Sequence, residues 1–357
     1  MDAFNPQQTT ELVSRIGARK SHMRIDKLWW NSFMAGPLLG FGCASSLCTT
    51  ASPWYQENAP GLIRTIGALV FPIGLVMVVL SGADLFTGDI MFMTVAFLHR
   101  RVTIWDVLKI WVVSFFGNLA GILFFMAIII GYGGVFDEAV YKNESITGAI
   151  SRAQVPQWHQ IFLKAIGANW LVCFAVYGSI SARDITGKIL ACWWPPATFV
   201  ALALDHVIAN MFFIPLGIWN GAPFGVGYYI WKSMIPAALG NILGGTLFVG
   251  VMYWYLYLAG EGTIKIDSSL GNFLDAAMEA GGPMPPNGRS VGESKNHSDG
   301  TAAETTDDSG PIDGQTNRQL KSSGQYMTSG IGQELGPETY TENNGLDRKD
   351  HSPDDLV

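Results

Sequence analysis

Two polar interruptions stand inside long apolar runs, and their residue types are those of proton and anion chemistry. The first reads Ser81-Gly82-Ala83-Asp84-Leu85-Phe86-Thr87-Gly88-Asp89, inside the run from Ile66 to Leu98; the second reads Leu204-Asp205-His206-Val207-Ile208-Ala209-Asn210, inside the run from Ile189 to Ile218. An ionisable pair at membrane depth is costly unless it faces protein or a water-filled path, which makes Asp205 and His206 functional candidates. His206 is the one histidine deep in an apolar segment; His22, His99, His159, His297 and His351 lie at ends, in loops or in the tail. A side chain that exchanges a proton near neutral pH suits the protonation of a weak-acid anion.

The interruptions lie 121 residues apart, measured from Asp84 to Asp205. A second pair agrees: Gly117-Asn118-Leu119-Ala120-Gly121 and Gly240-Asn241-Ile242-Leu243-Gly244 are 123 apart. Corresponding broken segments in two halves of a membrane chain point to a transport site. A broken spanning helix frees backbone groups that protein or cavity water must satisfy. It also presents a half-helix N-terminus, whose N–H groups attract anions. Asp84, Thr87 and Asp89 are residue types suited to capping such a half-helix, and capping is the favoured reading of Asp84. The Thr87 hydroxyl is also placed to meet a substrate.

Composition sets the frame for these breaks. Of 357 residues, 49% are hydrophobic and 14% charged, the balance of a chain that crosses a membrane several times. Six apolar segments are expected over Leu28 to Leu47, Ile66 to Leu98, Trp105 to Tyr132, Trp158 to Ile180, Ile189 to Ile218 and Tyr229 to Leu258. This divides the chain into an N-terminal arm (1–27), a six-span transport domain (28–260) and an acidic tail (261–357). The arm is read as an amphipathic surface helix or a plain solvated segment. The tail carries 7 basic and 17 acidic residues. Its polar composition predicts disorder, apart from a short helix at Leu270 to Met278. No signal peptide is legible at the N-terminus.

Orientation follows from the basic residues. Arg15, Arg19, Lys20, Arg24, Lys27, Arg100, Arg101, Arg183 and Lys188 flank one set of ends, against Arg64, Lys142 and Arg152 on the other. Both termini are therefore expected in the cytoplasm. The loop from Gly133 to Gln157 then faces outside, with a candidate glycosylation sequon at Asn143-Glu144-Ser145. Cys43, Cys48, Cys173 and Cys192 show no metal-ligand spacing and read as buried thiols. No metal or cofactor is expected.

Val79-Leu80-Ser81-Gly82-Ala83-Asp84-Leu85-Phe86-Thr87-Gly88 resembles the first signature of the formate/nitrite transporter family. Ala165-Ile166-Gly167-Ala168-Asn169-Trp170-Leu171-Val172-Cys173-Phe174-Ala175 resembles the second, with Phe174 where that pattern has Leu or Val. With Asp205-His206 to Asn210 and Gly240-Asn241, the resemblance covers about residues 25–260. The tail and sequon are similar to the fungal nitrite-uptake branch. The resemblance implies an all-α membrane protein: a homopentamer of six-span protomers, each an aquaporin-like inverted repeat with two broken helices and its own pore. It implies transport of nitrite, formate or a related small anion, with protons, across a lipid bilayer, the plasma membrane in this case. The family's central histidine falls on His206 and its loop threonine on Thr87, with Asn169 and Asn210 near that centre. Its apolar constrictions fall on Phe71, Leu75 and Phe199, and its basic vestibule residue on Lys164 or Arg152. A bare anion in a dry ring of Phe and Leu loses its hydration without a counter-charge, while the neutral acid crosses far more cheaply.

Two other classes fit less well. A neutral-solute channel of aquaporin type would account for paired half-helices, but paired Asn-Pro-Ala turns are absent and a histidine holds the centre. A receptor or scaffold working through its tail leaves the doubled breaks unexplained. The lack of a nucleophile, second histidine or metal set beside His206 speaks against an intramembrane enzyme. Nothing in the composition suggests nucleic-acid binding.

Overall fold

The computed structural model describes residues 3–262 together with Ile264 and Ile266. The helix expected at Leu270 to Met278 lies outside the described residues, as does nearly all of the acidic tail. An Asn5–Gln8 capping box and Pro6 start α1 (Pro6–Ser21), which leads into the long α2 (Ile25–Thr50). The short α3 (Pro53–Asn58) precedes α4 (Pro60–Val70) and α5 (Ile73–Ser81), which run on across a bend at Pro72. After the first break comes α6 (Phe86–Leu98). A Thr103–Asp106 capping box opens α7 (Ile104–Phe124), extended by a π-helical stretch (Phe125–Gly131). Then follow α8 (Ala139–Ala153), α9 (Trp158–Ser181), α10 (Ile185–Ala201) and, past the second break, α11 (Val207–Asn220). The last rod joins α12 (Val226–Tyr229), α13 (Ile235–Leu243) and α14 (Met252–Tyr257) through π-helical stretches.

Among the described residues, five rods are long and apolar enough to cross a bilayer: Ile25–Thr50, Pro60–Ser81, Ile104–Gly131, Trp158–Ser181 and Val226–Tyr257. α6 and α11 are apolar but shorter. Large apolar side chains such as Phe41, Val112, Phe116, Ile128, Trp170 and Leu239 face outward, an arrangement that water would not sustain but lipid or a partner does.

Two close helix pairs organise the interior, α2 with α7 and α9 with α13. Small residues make the crossings possible: a Cβ at Gly121 would collide with the Phe33 carbonyl on α2, and one at Gly244 with the Ile166 carbonyl on α9. These are the Gly-x-x-x-Gly segments read from the sequence, and each carries its asparagine into the core. Asn118 and Asn241 are fully buried.

Two expectations change here. The N-terminal arm is neither a solvated tail nor a free surface helix, because α1 buries Leu12, Val13, Ile16 and Lys20, and Gly17 lies against the Phe92 carbonyl of α6. The loop between residues 133 and 157 is largely helical, since α8 packs against α11 through Ala149 and Gly217. The sequon lies within α8, where Ser145 is buried and its hydroxyl accepts from Asn220 Nδ2 at 2.7 Å.

Candidate functional site

Each break is held by one asparagine amide. At the first, Asn118 Oδ1 accepts the Phe86 N–H at 2.8 Å, while Nδ2 donates to the carbonyls of Ser32 (2.7 Å) and Asp84 (2.8 Å). At the second, Asn241 Oδ1 accepts the Val207 N–H at 2.8 Å, and Nδ2 donates to Ala165 (2.8 Å) and Asp205 (3.0 Å). An amide carries one acceptor and two donors in a fixed fork, so one side chain satisfies the N–H and the C=O that the broken helix leaves open and ties them to a carbonyl of the neighbouring helix, α2 or α9. The sequence flagged both asparagines as a repeat without showing this role. Side-chain capping from within the first break does not occur: Leu85 holds the N-cap position of α6, and Asp84 turns away to an ion pair. The amide from α7 has already taken the first N–H.

The two half-helices start next to each other. His206 is the N-cap of α11, with Nδ1 accepting the Ala209 N–H at 3.2 Å. That bond fixes the tautomer. With Nδ1 an acceptor, Nε2 bears the hydrogen and donates it to Thr87 Oγ1, 2.9 Å away on the first turn of α6. Both residues are buried. The N–H groups of Thr87 and Ile208, also 121 residues apart, find no acceptor among the described residues. Two positive helix ends and two polar hydrogens therefore converge on one spot.

Apolar rings cover this spot. Phe199 stacks on the His206 imidazole at 5.7 Å, and Phe71 meets Phe199 edge-on at 5.4 Å. Beyond them opens a cavity of about 470 Å³ lined by His206, Asp205, Asn210, Lys164, Arg152 and Arg64 among others. Lys164 Nζ stands 3.5 Å from Asp205 Oδ2, and Asn210 Nδ2 donates to Asp205 Oδ1 at 3.1 Å. Arg152 lies over the Phe213 ring at 4.2 Å. Burial pulls its guanidinium below the usual arginine value, and the same cause pushes Glu144 at the cavity rim above the usual glutamate value. On the opposite side a smaller cavity of about 50 Å³ is lined by Leu75, Leu85, Asp89 and Lys20. Here Lys20 pairs with Asp84 and lies 2.9 Å from Asp89 Oδ1. Burial would pull the Lys20 ammonium down, but the two carboxylates outweigh it and hold it above the ordinary lysine value.

Of the residues picked from sequence, the structure thus gathers His206, Thr87, Phe199 and Phe71 around one centre. Leu75 lies toward the α1-side cavity; Asn210, Lys164 and Arg152 line the α8-side one. Asn169 does not join the centre. Its Nδ2 donates to the Asn241 carbonyl at 2.7 Å, so the amide ties α9 to α13. Lys20 and Glu144 carry no site role in the sequence reading and Asp89 only that of a cap, because nothing in their spacing shows which distant element they meet.

A family model described as formate/nitrite transporter matches residues 7–255. The chain belongs to that family. It is 37% identical over 269 residues to a probable formate transporter of Methanothermobacter thermautotrophicus, covering 71% of this chain and 97% of that one. It is 33% identical over 309 residues to an uncharacterized transporter of Saccharomyces cerevisiae, covering 85% of this chain and 48% of the relative. A solved pentameric formate channel with formate bound superposes with a TM-score of 0.58 at 27% identity, over 66% of this chain and 98% of its own. The formate/nitrite transporter described here is accordingly a multi-pass membrane protein that moves small anions, and it is not an enzyme.

Proposed function

We propose that this transporter carries nitrite, and formate as a second substrate, across the plasma membrane together with a proton, and that His206 is the group through which proton and anion meet. The 2.9 Å contact between His206 Nε2 and Thr87 Oγ1, at the meeting of two helix N-termini, carries this reading. In its capped tautomer His206 gives a hydrogen bond; to give up a proton it must first take a second one at Nδ1 and release the Ala209 N–H. A substrate anion beside the ring favours that exchange, because negative charge stabilises imidazolium. The neutral acid then passes the apolar rings of Phe71 and Phe199 on one side and Leu75 on the other, which a bare anion does not.

The remaining parts of the proposal concern assembly and placement. Residues 28–260 form six spans in an aquaporin-like inverted repeat, with α1 and the tail on the cytoplasmic side, and five such protomers assemble with one pore each. Lys164 and Arg152 in the α8-side cavity gather anions from outside. The preference for nitrite rests on the resemblance to the fungal branch.

Flux and current measured together in vesicles over about pH 5 to 8, the range of an ordinary histidine, test the proposal. Wild-type uptake should be electroneutral and rise with external acidity. His206→Asn keeps a polar side chain at the cap without a titratable group, and should lose the pH dependence or conduct the bare anion as a current. An unchanged pH profile with no added current would remove His206 from proton handling.

A further inference from the structure

Asp89 is a second buried carboxylate where the other half of the chain has an amide: 121 residues on stands Asn210. Its surroundings differ from those of Asp84. Asp84 accepts from Lys20 on Oδ1 and from Asn31 Nδ2 on Oδ2 at 2.7 Å, so both oxygens of its ionised form are engaged. Asp89 is 1% exposed, and neither of its oxygens accepts a well-directed hydrogen bond, although Oδ1 lies 2.9 Å from the Lys20 ammonium. Asp89 lines the α1-side cavity and Asp84 does not. Among the described residues Lys20 is the one basic group within ion-pair distance of either carboxylate. The other elements packed on α6 bring the Ser114 hydroxyl from α7 and the Cys173 thiol from α9; the π-helical stretch Gly244–Val251 and α13 bring no titratable group, and α14 carries the phenols Tyr253, Tyr255 and Tyr257.

Two carboxylates against one ammonium leave the cluster at −1 when both are ionised and neutral when one holds a proton. Desolvation makes the extra charge costly, and the carboxyl with fewer donors is the one that accepts the proton. We propose that Asp89 is the group at the α1-side mouth that exchanges the transported proton with the surrounding water. The inference rests on the proton-linked reading above. A neutral acid HA that has passed Leu75 reaches the cavity and gives its proton to the Asp89 carboxylate, leaving A⁻ and the neutral carboxyl. The carboxyl then yields the proton to water and is restored. Each step transfers one proton and no electrons, and the anion departs through a cluster that is uncharged while Asp89 holds the proton.

The test uses full-length protein in sealed membrane vesicles of either orientation, with nitrite or formate flux and proton movement recorded while pH is varied on one side at a time. Wild-type flux toward the α1 side should fall as that side is acidified, approaching about ten-fold per pH unit below the midpoint. Asp89→Asn should be flat in α1-side pH while keeping its response to α8-side pH. A wild-type α1-side profile in Asp89→Asn, or an equal loss on both sides, overturns the proposal. Should that variant fail to reach the membrane, Asp89→Glu retains the carboxyl one methylene further out and should move the α1-side midpoint alone; an unmoved midpoint counts against the role. Wild-type flux without proton movement would defeat the proton-linked reading itself. Proton-linked flux with an unaltered Asp89→Asn profile would defeat this inference only.

Discussion

The two breaks share a backbone frame and differ in charge. Asn118 and Asn241 clamp them through the same three hydrogen bonds, Asp84 and Asp205 stand at the same place in each, and Asn31 and Lys164, one residue before the clamped carbonyls of Ser32 and Ala165, reach those carboxylates. At the second break the cation is Lys164, on the neighbouring α9, with a side chain 36% exposed toward the large cavity. At the first break Asn31 is neutral and the cation is Lys20, lent by α1, 9% exposed and set between two carboxylates. Equivalent asparagines thus hold both half-helix starts in the same way, while single side chains decide which cation meets each carboxylate and how exposed that cation is.

Removing the clamps tests the shared frame most severely. Asn118→Ala and Asn241→Ala each strand two buried backbone groups of a break, its N–H and its C=O, at roughly 1–3 kcal/mol apiece, so each variant should lose several kcal/mol. The measurement is thermal unfolding of the detergent-solubilised protein, and a large drop in one variant with little in the other would show that the halves are not equivalent. The lysines test the difference. Lys20→Met leaves two carboxylates without their cation and should cost about 3–5 kcal/mol, whereas Lys164→Met should cost no more than about 1 kcal/mol because its pair is part-exposed. Lys164→Met should instead raise the apparent KM for anion uptake. Since Lys20 is held above the ordinary lysine value, its share of stability is intact below that value and is lost only as pH rises further. Equal melting losses in the two variants would erase the distinction.

A smaller comparison concerns the turn that ends each first half-helix. Gly82 has φ +71° and Ala203, 121 residues later, has φ +54°. The left-handed region costs a residue with a Cβ about 1–2 kcal/mol, and a Cβ at Gly82 would meet nothing within 4 Å, so the conformation alone is at stake. Gly82→Ala should lower stability by about that amount and Ala203→Gly should raise it by somewhat less. Melting curves with the opposite signs would show that the two turns are not corresponding positions.

Much of this was legible in one dimension. Polar residues interrupting apolar runs announced the breaks, because lipid tolerates them only around a cavity, and the repeated Gly-Asn spacing related the two halves. Periodicity and length gave the apolar rods but hid α8, whose mixed composition resembles a loop until α11 packs against it. The types of Thr87 and His206 declared a polar centre, yet only folding brought Nε2 within 2.9 Å of a hydroxyl 119 residues earlier. Asn169 read as a pore residue, and the close α9–α13 crossing engaged its amide with the Asn241 carbonyl instead. Local sequence fixes which groups must be satisfied in a membrane. Which distant partner satisfies them, Asn118 for the first break, Asn241 for the second and Lys20 for Asp84 and Asp89, is decided by how the helices cross, because a hydrogen bond depends on ångström-scale positions that spacing along the chain does not encode.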